Sequence, residues 1–341
     1  MKFINIILLS FLGISSTISE YLHNPLLLTR FNNWIKKHKI YIFNDEHLLH
    51  VYENWIDNDK YIDEINLQGV SYKLGHNAYS GYSFDEFRQI MNFDFNRKLI
   101  KDIQSNNTIN LTNNSNIPLS IDWRLHDVVN PIKDQGQCGS CWSFSTIQAL
   151  ESASAIKYGK LYTLSEQELV DCDNIRDHGC NGGLMNNAFN WISKNNGICS
   201  STDYPYISGT TKVSSKCQKS CKNQPNTDII NYNNIPINSD SAMMAALAQQ
   251  PVSIAIEADQ RSFQLYSSGI FTATCGTNID HGVGLVGYAS DYYILRNSWG
   301  ASWGIDGYML IGKGIDPSTN KPYNDGAGQC GLLTSGSYPV L

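Results

Sequence analysis

All nine cysteines of this 341-residue chain stand at or beyond Cys138. No other feature limits the fold as much. An odd count leaves one thiol over when the rest pair. If Cys141 is that thiol, eight remain for four bridges, which persist in an oxidising compartment. A cysteine-free first third and a cysteine-rich remainder further predict two structural units rather than one.

The N-terminus fits such a compartment. Lys2 precedes a short apolar run from Phe3 to Ile14, and Ser15, Ser16, Thr17 and Ser19 follow. This is the layout of a secretory signal peptide over 1–19. The run is shorter than the ~20 apolar residues of a spanning helix, so no membrane anchor is expected after signal cleavage. Over 20–103, Leu26, Leu27, Leu28, Phe31, Trp34 and Ile35 recur at helical spacing, as do Leu48, Val51, Tyr52, Trp55, Ile62 and Ile65. Two amphipathic helices are predicted there. Residues 104–116 are polar and Asn-rich, with sequons at Asn106, Asn110 and Asn113. They hold too little apolar surface to pack and read as an exposed processing linker.

The remainder, 117–341, has the size of one compact unit or two small lobes. Helices come first: Cys141 to about Lys157, then Leu164–Val170 with Ser165 as cap and Glu168 three residues on, then Leu184–Lys194. Short strands follow at Val252–Ile256, Gly282–Tyr288, Tyr292–Asn297 and Gly307–Ile311. That order argues α+β. A net charge of -6 makes a nucleic acid an unsuitable partner.

The chemistry concentrates in three segments. Gln135-Gly136-Gln137-Cys138-Gly139-Ser140-Cys141-Trp142-Ser143-Phe144 delivers a cysteine to the start of an apolar helix. The thiolate is the reactive form, and the positive end of a helix favours it. Asp280-His281-Gly282 supplies a base for it. Arg296-Asn297-Ser298-Trp299-Gly300 supplies a carboxamide that accepts from the imidazole and fixes its tautomer, with Trp299 as a shield from water. Gln135 and the Cys141 backbone N–H would hold an oxyanion. In Cys180-Asn181-Gly182-Gly183-Leu184-Met185, two glycines allow a substrate backbone to approach closely. A lone cysteine is as often bridged as reactive, and a lone histidine in an apolar strand is usually structural. Four separated positions that serve one reaction outweigh those readings. Cys217 and Cys221 could suggest a metal, but no His or second Cys pair completes four ligands, so no metal site is expected.

These motifs resemble the papain-like cysteine peptidases, most closely the cathepsin L-like branch, over 117–341. Residues 20–100 are similar to that branch's inhibitory propeptides. Asn58, Ile62 and Asn66 match the end of the long propeptide helix, and Gly75, Asn77 and Tyr79 match the segment after it. His47, Val51 and Trp55 depart from the usual Glu, Arg and Phe, and Gly81 replaces an aspartate. The resemblance implies a papain-like fold of two lobes, helical mainly over 128–226 and β-barrel mainly over 227–329, with the site between them. It implies a cysteine endopeptidase made as a zymogen, monomeric and without a cofactor. Its own propeptide would be the intramolecular inhibitor, and proteins or peptides its substrates. The compartment would be lysosome-like or extracellular. Cys141, His281, Asn297 and Gln135 would be catalytic. Gly182, Gly183, Leu184, Met185, Ala255, Asp280, Trp299 and Ser335 would bind substrate, with Leu184, Met185, Ala255 and Ser335 around an apolar second subsite that Ile279 and Gly282 adjoin. The implied bridges are Cys138–Cys180 and Cys275–Cys330, with Cys172, Cys199, Cys217 and Cys221 paired in an undetermined order. The alternative is a non-catalytic binding protein on the same fold. Such proteins usually lose the nucleophile, and Cys141 is present.

Overall fold

The computed structural model describes residues 24–91 and 117–341. The expected signal peptide, the whole 104–116 linker and its three sequons lie outside the described residues.

Helix α1 (Pro25–His38) begins where the Asn24 side chain accepts from the Leu26 and Leu27 amides, with proline at the first helical position. It crosses α2 (Asp45–Leu67), and Phe31 and Trp34 pack on Val51, Tyr52, Trp55 and Ile56 in a small core of their own. Three departures from the family pattern have their reason here. Val51 and Trp55 are apolar because they fill the helix crossing. A Cβ on Gly81 would stand 2.9 Å from the Trp34 ring, so no side chain fits there. Beyond α2, Asn66 grips strand β1 (Tyr72–Leu74) from both sides, accepting from the Leu74 amide at 2.9 Å and donating to its carbonyl at 3.0 Å. Helix α3 (Phe84–Met91) follows.

After β2 (Ile121–Asp122) come the helices α4 (Cys141–Tyr158), α5 (Glu166–Cys172), α6 (Met185–Lys194) and the short α7 (Ser208–Thr211). Residues 141–155 of α4 are buried on every side, which accounts for its lack of an amphipathic pattern. Then follow β3 (Asn231–Asn234), α8 (Asp240–Leu247), β4 (Val252–Ile256), α9 (Arg261–Gln264), β5 (Tyr266–Phe271), β6 (His281–Tyr288), β7 (Tyr292–Arg296) and β8 (Tyr308–Gly312). A small hairpin, β9 (Ile315–Asp316) with β10 (Lys321–Pro322), occupies the long loop, and β11 (Gly336–Val340) closes the chain. The main sheet runs β1-β5-β8-β7-β6-β4-β11-β3, with β2 also on β6.

The first third is not a separate unit along its whole length, contrary to the reading from cysteine distribution. Strand β1 pairs with β5, and Ile62, Tyr72, Leu74, Tyr79, Phe87 and Met91 share one core with Phe263, Leu285, Trp303 and Ile311. Tyr72 and Leu74 alternate inward into this shared core, with Lys73 between them exposed. A second correction concerns α5. Ser165 accepts from the Glu168 amide at 3.0 Å, but the Glu168 carboxylate leaves the cap and accepts from the buried Cys199 amide at 2.7 Å.

The four bridges are Cys138–Cys180, Cys172–Cys217, Cys199–Cys221 and Cys275–Cys330. Cys141 keeps its thiol.

Candidate active site

Cys141 is the first residue of α4, and the Cys138–Cys180 bridge ties the preceding turn to the Gly182–Gly183 strip. Gly139 reinforces the tie, donating to the Cys180 carbonyl at 2.9 Å. The other wall is β6, which opens with His281. The Gly282 backbone N–H donates to the Cys141 sulfur, as do the backbone amides of Trp142 and Cys141 itself. Glycine suits that close approach. A Cβ on Gly282 would lie 3.2 Å from the Met185 sulfur and 3.3 Å from the Trp142 backbone.

His281 is fully buried, and its Nε2 donates to Asn297 Oδ1 at 2.9 Å. The pairing of β6 with β7 brings the two together, with Gly284 opposite Arg296. Trp299 stacks on the imidazole, ring centres 4.8 Å apart. Gln135 is also buried. Its Oε1 accepts from Ser298 Oγ at 2.6 Å, and its Nε2 donates to the Cys138 carbonyl at 3.0 Å. Its backbone N–H donates to the Ser298 carbonyl, and its own carbonyl accepts from the Tyr206 hydroxyl at 2.8 Å. Ser298 and Tyr206 were not singled out in the sequence as functional. Ser298 lies inside the motif that carries Asn297, which is the signal that could have found it.

The charge state is the reverse of what a helix N-terminus alone would favour. Burial pushes the Cys141 thiol up to about 11, against the Gly282 and Trp142 amides that favour the thiolate. Burial draws the His281 imidazole down to about 4, although Asn297 favours its protonated form. Burial under the N-terminal segment thus favours the neutral form of each group.

The other expected residues fall as follows. Gly182 has φ +100, and a Cβ on Gly183 would lie 2.5 Å from the Trp142 ring. Met185 and Ala255 share one core, with Ile279 packed against it. Ala255 is opposite Gly282 and donates its amide to the Ser335 carbonyl at 3.0 Å. These residues come together; Leu184 is half-buried at the start of α6. Asp280 lies directly before His281. Its side chain is buried, and Oδ1 accepts from the Ala258 amide at 2.9 Å, so the carboxylate supports the lobe interior. Cys217 and Cys221 are both bridged. Glu168, Cys199 and Cys221 cluster within 4.8 Å, but the two sulfurs are bonded to each other and offer no thiolate.

The N-terminal segment covers the sheet lobe beside this site. Tyr79 and Phe87 meet the Trp299 ring edge-on at 5.8 and 5.1 Å. Gln264 is held from two sides, donating to the Tyr79 carbonyl and accepting from Asn77 Nδ2. Arg261 donates twice to Asn58 Oδ1, at 3.1 and 2.9 Å, pairs with Asp57 and lies 4.5 Å over the Tyr61 ring.

A buried thiol, imidazole and carboxamide between a helical wall and a sheet wall, under an N-terminal helical segment, define the class of thiol-peptidase proforms. The chain belongs to the papain family. The model described as "Papain family cysteine protease" matches residues 117–340, and the "Cathepsin propeptide inhibitor domain" model matches residues 31–87. The chain is similar to the probable cysteine protease RD21B of Arabidopsis thaliana, at 42% identity over 85% of this chain and 60% of that protein. It therefore spans less than two thirds of that relative's length. Cysteine proteinase COT44 of Brassica napus is 42% identical over 83% of this chain and 86% of its own. Among solved structures, the Amb a 11 cysteine protease of ragweed pollen in its proform superposes with a TM-score of 0.81. It is 31% identical and covers 94% of this chain and 97% of that one.

Proposed function

We propose that the chain is the zymogen of a cysteine endopeptidase of the secretory route, active in a lysosome-like compartment or outside the cell. The observation that carries this reading is the unbridged Cys141 at the head of α4, with the Gly282 amide on its sulfur and the His281–Asn297 pair on the same strand junction. Cys141 attacks the scissile carbonyl. Gln135 Nε2 and the Cys141 backbone N–H stabilise the oxyanion. His281 protonates the departing amine, and water then hydrolyses the thioester. Asn297 keeps the imidazole tautomer throughout.

Ser298 and Cys138 support the role of Gln135, because they fix its carboxamide by both ends. Leu184, Met185, Ala255 and Ser335 form an uncharged second subsite that accepts Leu, Phe or Val and rejects an unpaired buried charge. Removal of residues up to about 116 uncovers the site.

The test is hydrolysis of a fluorogenic peptide with Phe or Leu at the second position, after acid treatment in reductant. The expected result is turnover by the wild type and none by Cys141→Ala. If the propeptide is demonstrably gone and no peptide of a varied library is cut, the reading is wrong, and a non-catalytic binding protein replaces it.

A further inference from the structure

Beneath the Gly182–Gly183 strip lie two carboxyl groups that the chemistry above does not use. Asp173 ends α5, and Asp177 stands in the loop that follows. Both are buried, at 3% and 1% exposure. Asp177 Oδ1 accepts from the Leu184 amide at 2.9 Å and from Asn187 Nδ2 at 3.0 Å. The neighbouring His178 amide donates to the Gly182 carbonyl at 2.8 Å. The loop therefore holds the strip on both sides of Gly183, at Gly182 and Leu184.

The other oxygen of each carboxyl, Oδ2, is buried with no N–H or hydroxyl donor on it. The two carboxyl groups are in hydrogen-bonding contact with each other. Two buried carboxylates so placed cannot both be charged, whereas one proton between them satisfies both oxygens. The surroundings agree. Gly183 from the strip crowds Asp177, a Cβ on Gly183 falling 2.9 Å from its Cγ. Lys194 of α6 favours the charged form of Asp173, and His178 favours that of Asp177. Burial, the larger effect in each, raises both carboxyls above their usual range.

We propose that Asp173 and Asp177 share one proton, and that this acid–carboxylate pair is the positioning element of the peptide-binding strip Gly182–Leu184. The proposal rests on the reading of that strip as a substrate-binding surface. Loss of the proton sets two like charges against each other and pulls Asp177 Oδ1 off the Leu184 amide. Peptide binding then weakens at alkaline pH, while the reacting groups stay in place.

The experiment measures KM and kcat separately from about pH 6 to about pH 10 on the acid-matured enzyme. Wild type is compared with Asp173→Asn, whose carboxamide N–H donates to Asp177 at every pH. The wild-type KM should rise about tenfold at the alkaline end relative to the variant, with kcat following one curve in both. Two readouts on the Cys141→Ala zymogen need no turnover. A buried carboxylic-acid carbonyl band should appear in the wild-type pair and vanish in Asp173→Asn. Exchange of the Leu184 amide should accelerate with pH more steeply in the wild-type pair than in the variant. Superimposable KM profiles in an active enzyme, or no carboxylic-acid band, overturn the proposal. No turnover with the band and the exchange difference both present overturns the peptidase reading and leaves the pair standing.

Discussion

Replacing Arg261 with alanine should open the zymogen without harming the fold of either part. Arg261 is the mature domain's grip on the long propeptide helix. Its two N–H···O bonds to Asn58 are partly buried, while its partner Asp57 is 71% exposed at the side chain. The exposed ion pair contributes little, ~0–1 kcal/mol. Loss of charge-assisted bonds to Asn58 costs ~1.5–3 kcal/mol, and the contact over Tyr61 adds ~0.5–1 kcal/mol. A conservative total is about 2–3 kcal/mol, which raises the open fraction about 30- to 150-fold.

Cys141 reports that fraction directly, because its thiol is unbridged while the other eight cysteines are bridged. A thiol reagent labels it only in open molecules, so the initial labelling rate of intact zymogen at neutral pH scales with opening. Arg261→Lys keeps the charge but not the forked geometry and should fall between the two. Equal labelling rates in wild type and Arg261→Ala, with unchanged melting of both, would refute the assignment of this contact as the anchor.

Three further outcomes follow from the site and its supports. Ser298→Ala frees one end of the Gln135 carboxamide and should lower kcat about tenfold with KM little changed, less than the ~10²–10³ of removing an oxyanion donor outright; steady-state kinetics on the matured enzyme decides it. The folded value of His281 lies below the unfolded one, so its contribution to zymogen stability is full above about 6.5 and is lost as pH falls through about 4; melting of Cys141→Ala zymogen across that window should show an acid loss that shrinks when His281 is also changed to Gln. Lys133 is held at 2.8 Å from Glu151 and 2.6 Å from Glu166, and although burial opposes its charge the two carboxylates raise it; Lys133→Met strands both carboxylates and should cost ~3–5 kcal/mol by calorimetry, with part of the loss recovered at acid pH.

The reactive residues were legible because each sits in a short local pattern. Cys141 opens a helix after a glycine-rich turn, and Asn297 precedes a Trp-Gly pair. Contacts made across the chain left no such trace. Arg261 and Asn58 are 203 residues apart, and no local signal marks either as the other's partner. Strand β3 is Asn231-Tyr232-Asn233-Asn234, an edge without apolar alternation, and it exists through its pairing with β11. The order Cys172–Cys217 and Cys199–Cys221 depends on where the loop after α7 returns, which spacing alone leaves open. No local pattern in the sequence marks Asp173 and Asp177. Only the burial of both beneath Gly183 makes them a pair.

Strand β1 bears on how the matured protein persists. In the zymogen, β5 lies between β1 and β8, and Ser71 hydroxyl and carbonyl oxygens bond to Ile270, 199 residues along the chain. The proposed maturation would remove that neighbour and turn β5 into an edge. Ser267, Ser268 and Gly269 along the bared strand make a poor template for a foreign chain, which limits aggregation. The change runs in one direction. A matured chain that unfolds must re-form β5 without the strand that flanked it in the zymogen, so its lifetime would be governed by the height of the unfolding barrier.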